Sequence, residues 1–342
     1  MLKRLGSRFA NKIAGALESR CDGYSAHIRF FAEEMRKSGL EVQLLDVGSL
    51  GGIVEPFEEI RDVLVVSGFD PQEDKADAGT PIEMKEKDRT KIYPFALYTH
   101  SGEVTFNVTR APEWSSVYKP NRAVLSRYNT NLDFADILRT VSVRSERLDD
   151  ALKDQVIDFV KIDTQGSELD ILKHGKTVLQ NCLGILTEVE FVHFYENQPL
   201  FADIDPFIRS QGFELFDLRR AYYKRKSFWD LSGPKGQIIG GDALYLRPPE
   251  QLVALGKDKI IKGLLLYLLF GYVDLAFTLY ELSELKTELT WSPEPHRLKQ
   301  ESEGPFGTSL TRLFSTLSSY LNPHDWRKGQ ISYGDRPPGN RI

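Results

Sequence analysis

The sequence is poor in cysteine and has none of the cysteine spacings that build a site. Its 342 residues include only Cys21 and Cys182, with no CxxC pair and no Cys/His spacing that would hold zinc. Two isolated cysteines argue against a disulfide framework and against a structural zinc site. They are typical of a reducing compartment, so we expect a cytoplasmic protein.

A strong charge bias is also absent. The formal net charge is −5 and the isoelectric point is near 5.8. Proteins that coat nucleic acid are usually basic, because they neutralise phosphates, so we expect no nucleic-acid partner.

Long uninterrupted apolar runs are missing as well. The N-terminal segment lacks the continuous apolar core of a secretory signal, and its apolar residues follow a helical spacing. This amphipathic helix either packs on its own domain or contacts a membrane surface. The apolar stretch 260–277 contains Lys262 and Asp274, so its core falls short of the ~20 residues of a spanning helix. We interpret it as a buried or interfacial helix.

The sequence does contain short apolar strands that alternate with helical patterns. This alternation indicates an α/β fold with a mostly parallel sheet, and a long polar loop between the last two strands favours an antiparallel edge strand. Helices are predicted over residues 168–180 and 201–212. The segments 91–98 and 103–109 flank a turn and are predicted to pair as a hairpin.

Composition changes at two points along the chain. Residues 1–39 form a predicted helical extension, and residues 40–249 hold the alternating strands and helices. The segment 250–342 is predicted to be helical at first and then to become a polar tail rich in proline, glycine and charge. We therefore expect one central domain between two helical extensions.

Glycines follow the first predicted strand, in the run LLDVGSLGG. Gly48, Gly51 and Gly52 would let the backbone approach a ligand where a Cβ atom would collide, although they also suit a tight turn. Asp70 follows the second strand. Its distance from Gly48 in the sequence is close to the ~20-residue spacing at which an acid meets ribose hydroxyls. An Asp-Pro pair is also ordinary turn chemistry. Together the two motifs favour a nucleotide-type ligand.

The run KIDTQGSELDIL places acidic residues where another apolar strand ends and a helix begins. Glu168 and Asp170 could complement the positive end of the helix dipole. That explanation suits Asp170, but it does not account for Asp163, which ends the strand itself. Ligands of open α/β sheets bind at the carboxyl ends of the strands, so Asp163 is a candidate site residue.

Taken in order, these motifs resemble the FkbM family of S-adenosylmethionine-dependent methyltransferases. The matching segments cover about residues 41–247 and read LDVGSLGG, GFDPQ, FALYTHSGEVTF, EWSSVY, FVKIDTQGSELDILKHG, LTEVEF and GGDALYLR. The resemblance implies a Rossmann-like, doubly wound fold with S-adenosyl-L-methionine as the cofactor. Gln165 departs from the family pattern, in which this position is often acidic.

The resemblance also implies roles for individual residues. The loop from Asp46 to Gly52 would cradle the methionine part of the cofactor, and Asp70 would bind its ribose hydroxyls. The other implied residues lie beside the adenine, near the site, or on its floor: Ala96 and Leu97; Ser115 and Ser116; Asp163, Gly166, Glu168 and Glu188.

Methyl transfer to a hydroxyl requires a base that takes the hydroxyl proton. The first candidates are Asp163 and Glu168, followed by His193, which could equally be a half-buried residue at a strand end. His174 is better explained as the C-terminal residue of a helix before Gly175. The carboxylates could instead attract the sulfonium cation or hold a metal with an acceptor diol. The sequence predicts no dedicated metal site.

Three functions are compatible with these residues. The first is an O-methyltransferase that acts on a sugar, a polysaccharide or a related metabolite, with a possible homodimeric state and peripheral membrane contact. The second is a non-catalytic binding module of the same fold. The third is a nicotinamide-dependent oxidoreductase, against which the missing GxGxxG motif counts.

Overall fold

The fold is described from a computed structural model, which covers residues 26–48, 56–71, 82–84, 89–227, 236–289 and 291. In this part of the chain the strands are β1 (Val42–Val47), β2 (Leu64–Phe69), β3 (Ile82–Met84), β4 (Thr90–Tyr93), β5 (Ala96–Leu97), β6 (Gly102–Thr109), β7 (Ile137–Glu146), β8 (Phe159–Ile162), β9 (Gly184–Glu190), β10 (Glu214–Tyr223) and β11 (Gln237–Leu246). The α-helices are α1 (26–37), α2 (Arg122–Leu125), α3 (Leu148–Ala151), α4 (Glu168–Lys173), α5 (Lys176–Gln180), α6 (Phe201–Ser210), α7 (Pro249–Leu252), α8 (Lys257–Leu269) and α9 (Val273–Leu282).

One large sheet organises the molecule, with the strand order β10-β11-β9-β8-β1-β2-β4-β3. The strands from β9 to β4 in this order are parallel to one another. Strand β11 runs antiparallel to both β9 and β10, so the predicted antiparallel pair lies at one edge, with β10 outermost. The chain builds outward from β1 on one side and then returns to its other side at β8, which is the topology of a Rossmann-like fold.

Both faces of the central strands are covered by helices, which explains their nearly continuous apolar sequences. Successive side chains of a strand point to opposite faces. One face packs with α1, α8 and α9 and carries Leu44, Phe159 and Leu186, and the other packs with α4, α5 and α6 and carries Leu45, Val160 and Ile185. Because the central strands are packed on both faces, their carboxyl ends are held in fixed relative positions.

The apolar stretch 260–277 falls in two helices, α8 and α9, separated by Gly271 in the left-handed region at φ +88°. Most of α8 is buried against the sheet, as predicted. Among the described residues no helix is both long enough and apolar enough to cross a membrane. The domain boundaries near residues 39 and 249 stay predictions.

Two local predictions are wrong. Segments 91–98 and 103–109 do not form a hairpin, because β5 pairs parallel with β7 and β6 pairs antiparallel with β7 in a separate small sheet. The helix predicted over 168–180 is broken into α4 and α5 at Gly175, where a Cβ atom would lie 2.2 Å from a methyl group of Leu148. Helix α6 is confirmed, and Gly212 follows it at φ +88°.

Candidate functional site

The ends of β1 and β8 lie side by side where the strand order reverses. Asp163 N donates a hydrogen bond to Val47 O at 3.0 Å, which brings Asp163 against Gly48. A Cβ atom at Gly48 would lie 1.8 Å from Asp163 O, and Gly48 has φ +81°. Only glycine fits this approach, so the first glycine of the sequence motif shapes the switch point. Gly51 and Gly52 lie outside the described residues.

Asp46 and Lys161 form a buried ion pair across β1 and β8. Lys161 Nζ lies 3.0 Å from Asp46 Oδ1, and the two side chains are 14% and 4% exposed. Burial alone would lower the pKa of Lys161, but the charges of Asp46 and Asp163 outweigh it and raise the pKa. Lys161 therefore keeps its positive charge beside the acidic groups at the strand ends.

Asp70 follows the end of β2, beside the same switch point. Burial and the charge of Asp46 raise the pKa of Asp70 from 3.8 to about 6. From the described part of the chain, no side-chain hydrogen bond reaches its carboxylate. Both oxygens are thus left to accept hydrogen bonds from a diol.

Glu168 holds the turn that connects β8 to α4. Its carboxylate accepts hydrogen bonds from Thr164 N at 2.6 Å and from Gly166 N at 3.0 Å. Gly166 has φ +108°, so the turn depends on its glycine as well as on this carboxylate. Glu168 is fully buried, and this burial, with the charge of Asp163, raises its pKa to about 7. The structure therefore gives Glu168 a role in shaping the turn.

Gln165 joins the ends of β8 and β9. Its Nε2 donates to Asp163 Oδ1 at 2.8 Å and to Glu188 Oε2 at 2.7 Å, while its Oε1 accepts from the Tyr195 hydroxyl at 2.8 Å. Gln165 has φ +59°, which is uncommon for a residue with a side chain. Sequence reasoning marked its unusual position but missed this bridging contact.

Two carboxylates bind this amide, and a third lies close to both. One oxygen from each of Asp163, Glu168 and Glu188 lies within 4.8 Å of the others, a spacing that could hold a metal ion. Burial, together with the charges of Asp163 and Glu190, raises the pKa of Glu188 well above its usual range. The cluster concentrates acidic groups at the ends of two neighbouring strands.

A small cleft opens beside this cluster. Its charged lining residues are Glu188 and Glu190, and its aromatic lining residues are Trp114, Phe194, Tyr195 and Tyr223. Gln165 lines the same cleft, so the amide that binds Asp163 is also part of the cleft wall. Polar groups at one end of an aromatic cleft are typical of a binding site for a polar organic molecule.

The segment that contains Ser115 and Ser116 crosses near the turn. Ser116 is fully buried, and its hydroxyl donates to Gln165 O at 2.8 Å. Ser115 instead accepts from Thr109 N at 3.1 Å, within its own turn. The structure thus ties only one of these predicted neighbours directly to the loop after β8.

Ala96 and Leu97 form β5 and are 7% and 3% exposed. Leu97 and Phe95 pack in the same core as Val47 and Phe69, at the ends of β1 and β2. This position keeps the segment 95–97 next to the strand ends predicted to hold the cofactor.

The histidines considered as candidates, His193 and His174, do not belong to the carboxylate cluster. His193 is exposed on the turn after β9, where its Nδ1 lies 3.2 Å from Gln198 O, and it does not line the cleft. His174 is the C-cap of α4, as predicted. Asp170, assigned to the helix start, lies in the first turn of α4 and accepts from the Tyr118 hydroxyl at 2.6 Å.

Comparison with known proteins gives a family match. The model of the methyltransferase FkbM domain matches residues 46–215. A curated relative, the 2-O-methyltransferase NoeI of Sinorhizobium fredii (strain NBRC 101917 / NGR234), is 29% identical over 205 residues, which is 52% of this chain and 82% of the relative. The matched region contains the ends of β1, β2, β8 and β9.

Solved structures of methyltransferases also match, at low identity. Magnesium protoporphyrin IX methyltransferase (ChlM) from Synechocystis PCC 6803 is 10% identical, with 66% of this chain and 80% of that chain covered and a TM-score of 0.30. The 1,6-didemethyltoxoflavin-N1-methyltransferase of Burkholderia thailandensis is 11% identical, with 71% and 87% covered and a TM-score of 0.26. These TM-scores are too low to support the fold assignment, which therefore rests on the strand order.

Proposed function

This chain belongs to the FkbM methyltransferase family, and we propose that it transfers the methyl group of S-adenosyl-L-methionine to a hydroxyl of a sugar, a polysaccharide or a related metabolite. The relative NoeI is a 2-O-methyltransferase, which supports a hydroxyl as the acceptor. The cleft beside the strand ends is lined by aromatic and polar side chains, which supports a polar organic molecule as the acceptor.

One observation carries the proposal. Gln165 binds Asp163 at the end of β8 and Glu188 at the end of β9, and it lines the cleft. A cofactor at the strand ends and an acceptor in the cleft would therefore meet at Asp163. Catalysis of methyl transfer depends largely on such alignment of the two reactants.

The residues at the switch point fit the cofactor. The carboxylate of Asp70 is open to a ribose diol, and the Asp46–Lys161 pair fixes the floor beneath it. S-adenosyl-L-methionine supplies, when bound, a methyl group on a positively charged sulfur, which the carboxylates at the strand ends would attract.

We propose Asp163 as the general base. It is half-buried at the end of β8, and Gln165 Nε2 occupies only its Oδ1. Glu168 is less suited, because its carboxylate already binds the backbone of the turn, and His193 is exposed on the turn after β9, with no contact to the three carboxylates among its described hydrogen bonds. In this proposal Asp163 takes the proton of the acceptor hydroxyl while Gln165 keeps its carboxylate in place.

We propose that residues 40–249 carry the transferase activity, and that it takes place in the cytoplasm. A homodimer and a peripheral membrane contact remain part of the proposal, and the amphipathic segment that suggested the membrane contact lies mostly outside the described residues.

The function is tested by incubating the full chain with labelled S-adenosyl-L-methionine and a panel of glycans and lipid-linked sugars. Labelled acceptor, together with calorimetric binding of S-adenosylhomocysteine but not NADH, is the expected result. Binding of NADH in place of S-adenosylhomocysteine would support the oxidoreductase. Binding of S-adenosylhomocysteine without transfer to any acceptor, and unchanged by Asp163→Asn, would support a binding module.

A further inference from the structure

The end of strand β10 carries a basic segment that the methyl-transfer proposal does not use. The end of this strand and the residues after it read RRAYYKRK (219–226), which contains lysines and arginines but no acid. The chain as a whole has a formal net charge of −5, so this positive charge is a local feature. A local concentration of one charge attracts ligands of the opposite sign.

Two lysines of this segment lie beside an arginine from another part of the chain. Lys226 N donates to Arg127 O at 2.9 Å, and Lys224 O accepts a hydrogen bond of 2.9 Å from the same neighbouring segment. Tyr128 and Arg225 form the antiparallel bridge between them, and the Arg225 guanidinium lies 5.0 Å from the centroid of the Tyr128 ring. Since side chains alternate between the two faces, Arg127, Lys224 and Lys226 share the opposite face. We call these three residues the basic cluster.

The basic cluster has no acidic partner among the described residues. Arg127 and Lys226 are exposed and Lys224 is half-buried, and none of the three forms an ion pair with a described carboxylate. Arg127 and Lys226 lie opposite each other, and like charges in this position destabilise paired strands. An anion bound between them would remove this repulsion, and the oxygens of a phosphate accept strong charge-assisted hydrogen bonds from such groups.

The basic cluster adjoins the aromatic part of the cleft. Lys224 directly follows Tyr223, and Arg127 comes two residues after Leu125. Tyr223 and Leu125 both line the cleft. Tyr223 stacks on Phe194, another lining residue, with 5.8 Å between the ring centroids. An acceptor that packs against this aromatic wall would therefore bring a substituent within reach of the cluster.

We propose that the basic cluster binds a phosphate or diphosphate group attached to the acceptor sugar. The acceptor is then a phosphate-linked sugar, either free or carried on a lipid. Its phosphate lies on the cluster, outside the cleft lining, in which both charged residues are acidic. This inference rests on the proposed function, because it concerns the acceptor of that reaction. The cluster determines specificity, whereas Asp163 acts on the reacting hydroxyl.

The experiment compares the methyl glycoside with the 1-phosphate of each of glucose, galactose and N-acetylglucosamine, and inorganic phosphate is a further probe. Binding to the full chain is measured by calorimetry, and transfer of labelled methyl to each sugar is measured in parallel. Vesicles of phosphatidylcholine, alone and in equal parts with phosphatidylglycerol, distinguish a lipid surface from a sugar phosphate.

The test variant is Lys224→Gln/Lys226→Gln, which removes two charges from the basic cluster. Lys153→Gln/Lys176→Gln is the charge-matched control, because both of these lysines are exposed and lie on other elements, after α3 and at the start of α5. The melting temperature and the affinity for S-adenosylhomocysteine should be unchanged in both variants, since the substitutions lie on the surface.

We expect at least one 1-phosphate to bind the wild-type protein about tenfold or more tightly than its methyl glycoside and than inorganic phosphate. The test variant should reduce the difference between the 1-phosphate and the glycoside to about twofold, while the control variant keeps it. Added salt should weaken binding of the 1-phosphate more than binding of the glycoside, because exposed charges are screened.

Several results would overturn the inference. These are equal binding of each 1-phosphate and its glycoside, no binding of any sugar, equal binding of inorganic phosphate and the 1-phosphates, and unchanged discrimination in the test variant. Binding to the phosphatidylglycerol vesicles that the test variant loses, without a preference for the 1-phosphates, would assign the cluster to a membrane surface instead. Selective binding without methyl transfer would contradict the proposed function but keep the phosphate site, and transfer without selectivity would do the reverse.

Discussion

Strand β8 has an aspartate just before its first residue and another just after its last, and the two have opposite surroundings. Asp158 is fully buried and bound by two lysines, with Lys259 Nζ at 2.6 Å and Lys262 Nζ at 2.8 Å, and by Gln43 N at 2.8 Å. Asp163, four residues of strand later, lies among carboxylates and is bound by the neutral amide of Gln165.

The contrast separates a structural acid from a functional one. At the start of β8 the Asp158 carboxylate is bound by two opposite charges, and these lysines come from α8, so the contact joins the C-terminal helices to the sheet. At the end of β8 like charges are held together, which costs stability and is found where a site must bind or react. Variants at the two ends should therefore fail in different ways.

The largest effect is expected at the functional end. Asp163→Asn removes the proposed base and should lower methyl transfer by about 10²- to 10⁴-fold. The affinity for S-adenosylhomocysteine should stay within about threefold, because the amide keeps the shape of the side chain. Single-turnover transfer and calorimetry measure the two quantities. A variant that loses cofactor binding and transfer in parallel would contradict a role as base.

The next largest effect is expected at the structural end. Asp158→Asn leaves two largely buried lysines without their carboxylate and should lower the free energy of unfolding by about 3–5 kcal/mol. Urea unfolding measures this loss. Lys262→Met, which removes one lysine and leaves the other, provides a milder variant if Asp158→Asn does not fold. An unchanged free energy of unfolding in both variants would contradict a structural role for the acid at the start of β8.

The parallel core of the fold was predictable because its strands are apolar on both faces. Strands β1, β2, β8 and β9 stand out in the sequence for that reason. Strand β7 was missed, since most of its residues are exposed or half-buried and its polar and apolar residues do not mark one buried face. The hairpin error has the same origin, because β7 is the strand with which β5 and β6 pair.

A smaller effect concerns pH and lies at the end of β2. The raised pKa of Asp70, about 6, means that its carboxyl gains a proton as the pH falls through 6. Ribose hydroxyls donate to the charged form, so the affinity for S-adenosylhomocysteine should decline by up to about tenfold between pH 7 and pH 5. Asp70→Asn should bind more weakly and without this pH dependence. Calorimetry at several pH values tests this, and an identical pH profile in the variant would contradict it.

The same pKa has an opposite consequence for stability. A carboxyl whose folded pKa exceeds its unfolded value favours folding when it is protonated, so this contribution is present below pH 3.8 and is lost as the pH rises through about 6. The difference in melting temperature between the wild type and Asp70→Asn should therefore change over this window.

The site was predictable in outline but not in its contacts. Asp46 lies near the end of β1, Gly48, Asp70 and Asp163 directly follow strands, and the sheet brings strand ends together at one edge. The bridging role of Gln165 depends on its left-handed backbone conformation, which the sequence does not reveal.

The smallest effect is expected for Tyr118→Phe. The Tyr118 hydroxyl donates to Asp170, the acid assigned to the start of α4. Its loss should lower the free energy of unfolding by about 1–2 kcal/mol and leave methyl transfer per folded molecule unchanged. Urea unfolding and the transfer assay give the two values. A drop in transfer larger than about threefold would place Asp170 with the functional acids.

The most direct test of the account compares the two ends of β8 in one assay. The rate of labelled methyl transfer per folded molecule is measured for Asp158→Asn and Asp163→Asn with the same donor and acceptor. We predict a rate close to the wild type for Asp158→Asn and a loss of about 100-fold or more for Asp163→Asn. Equal rates in the two variants would contradict the assignment of the active site to the end of β8.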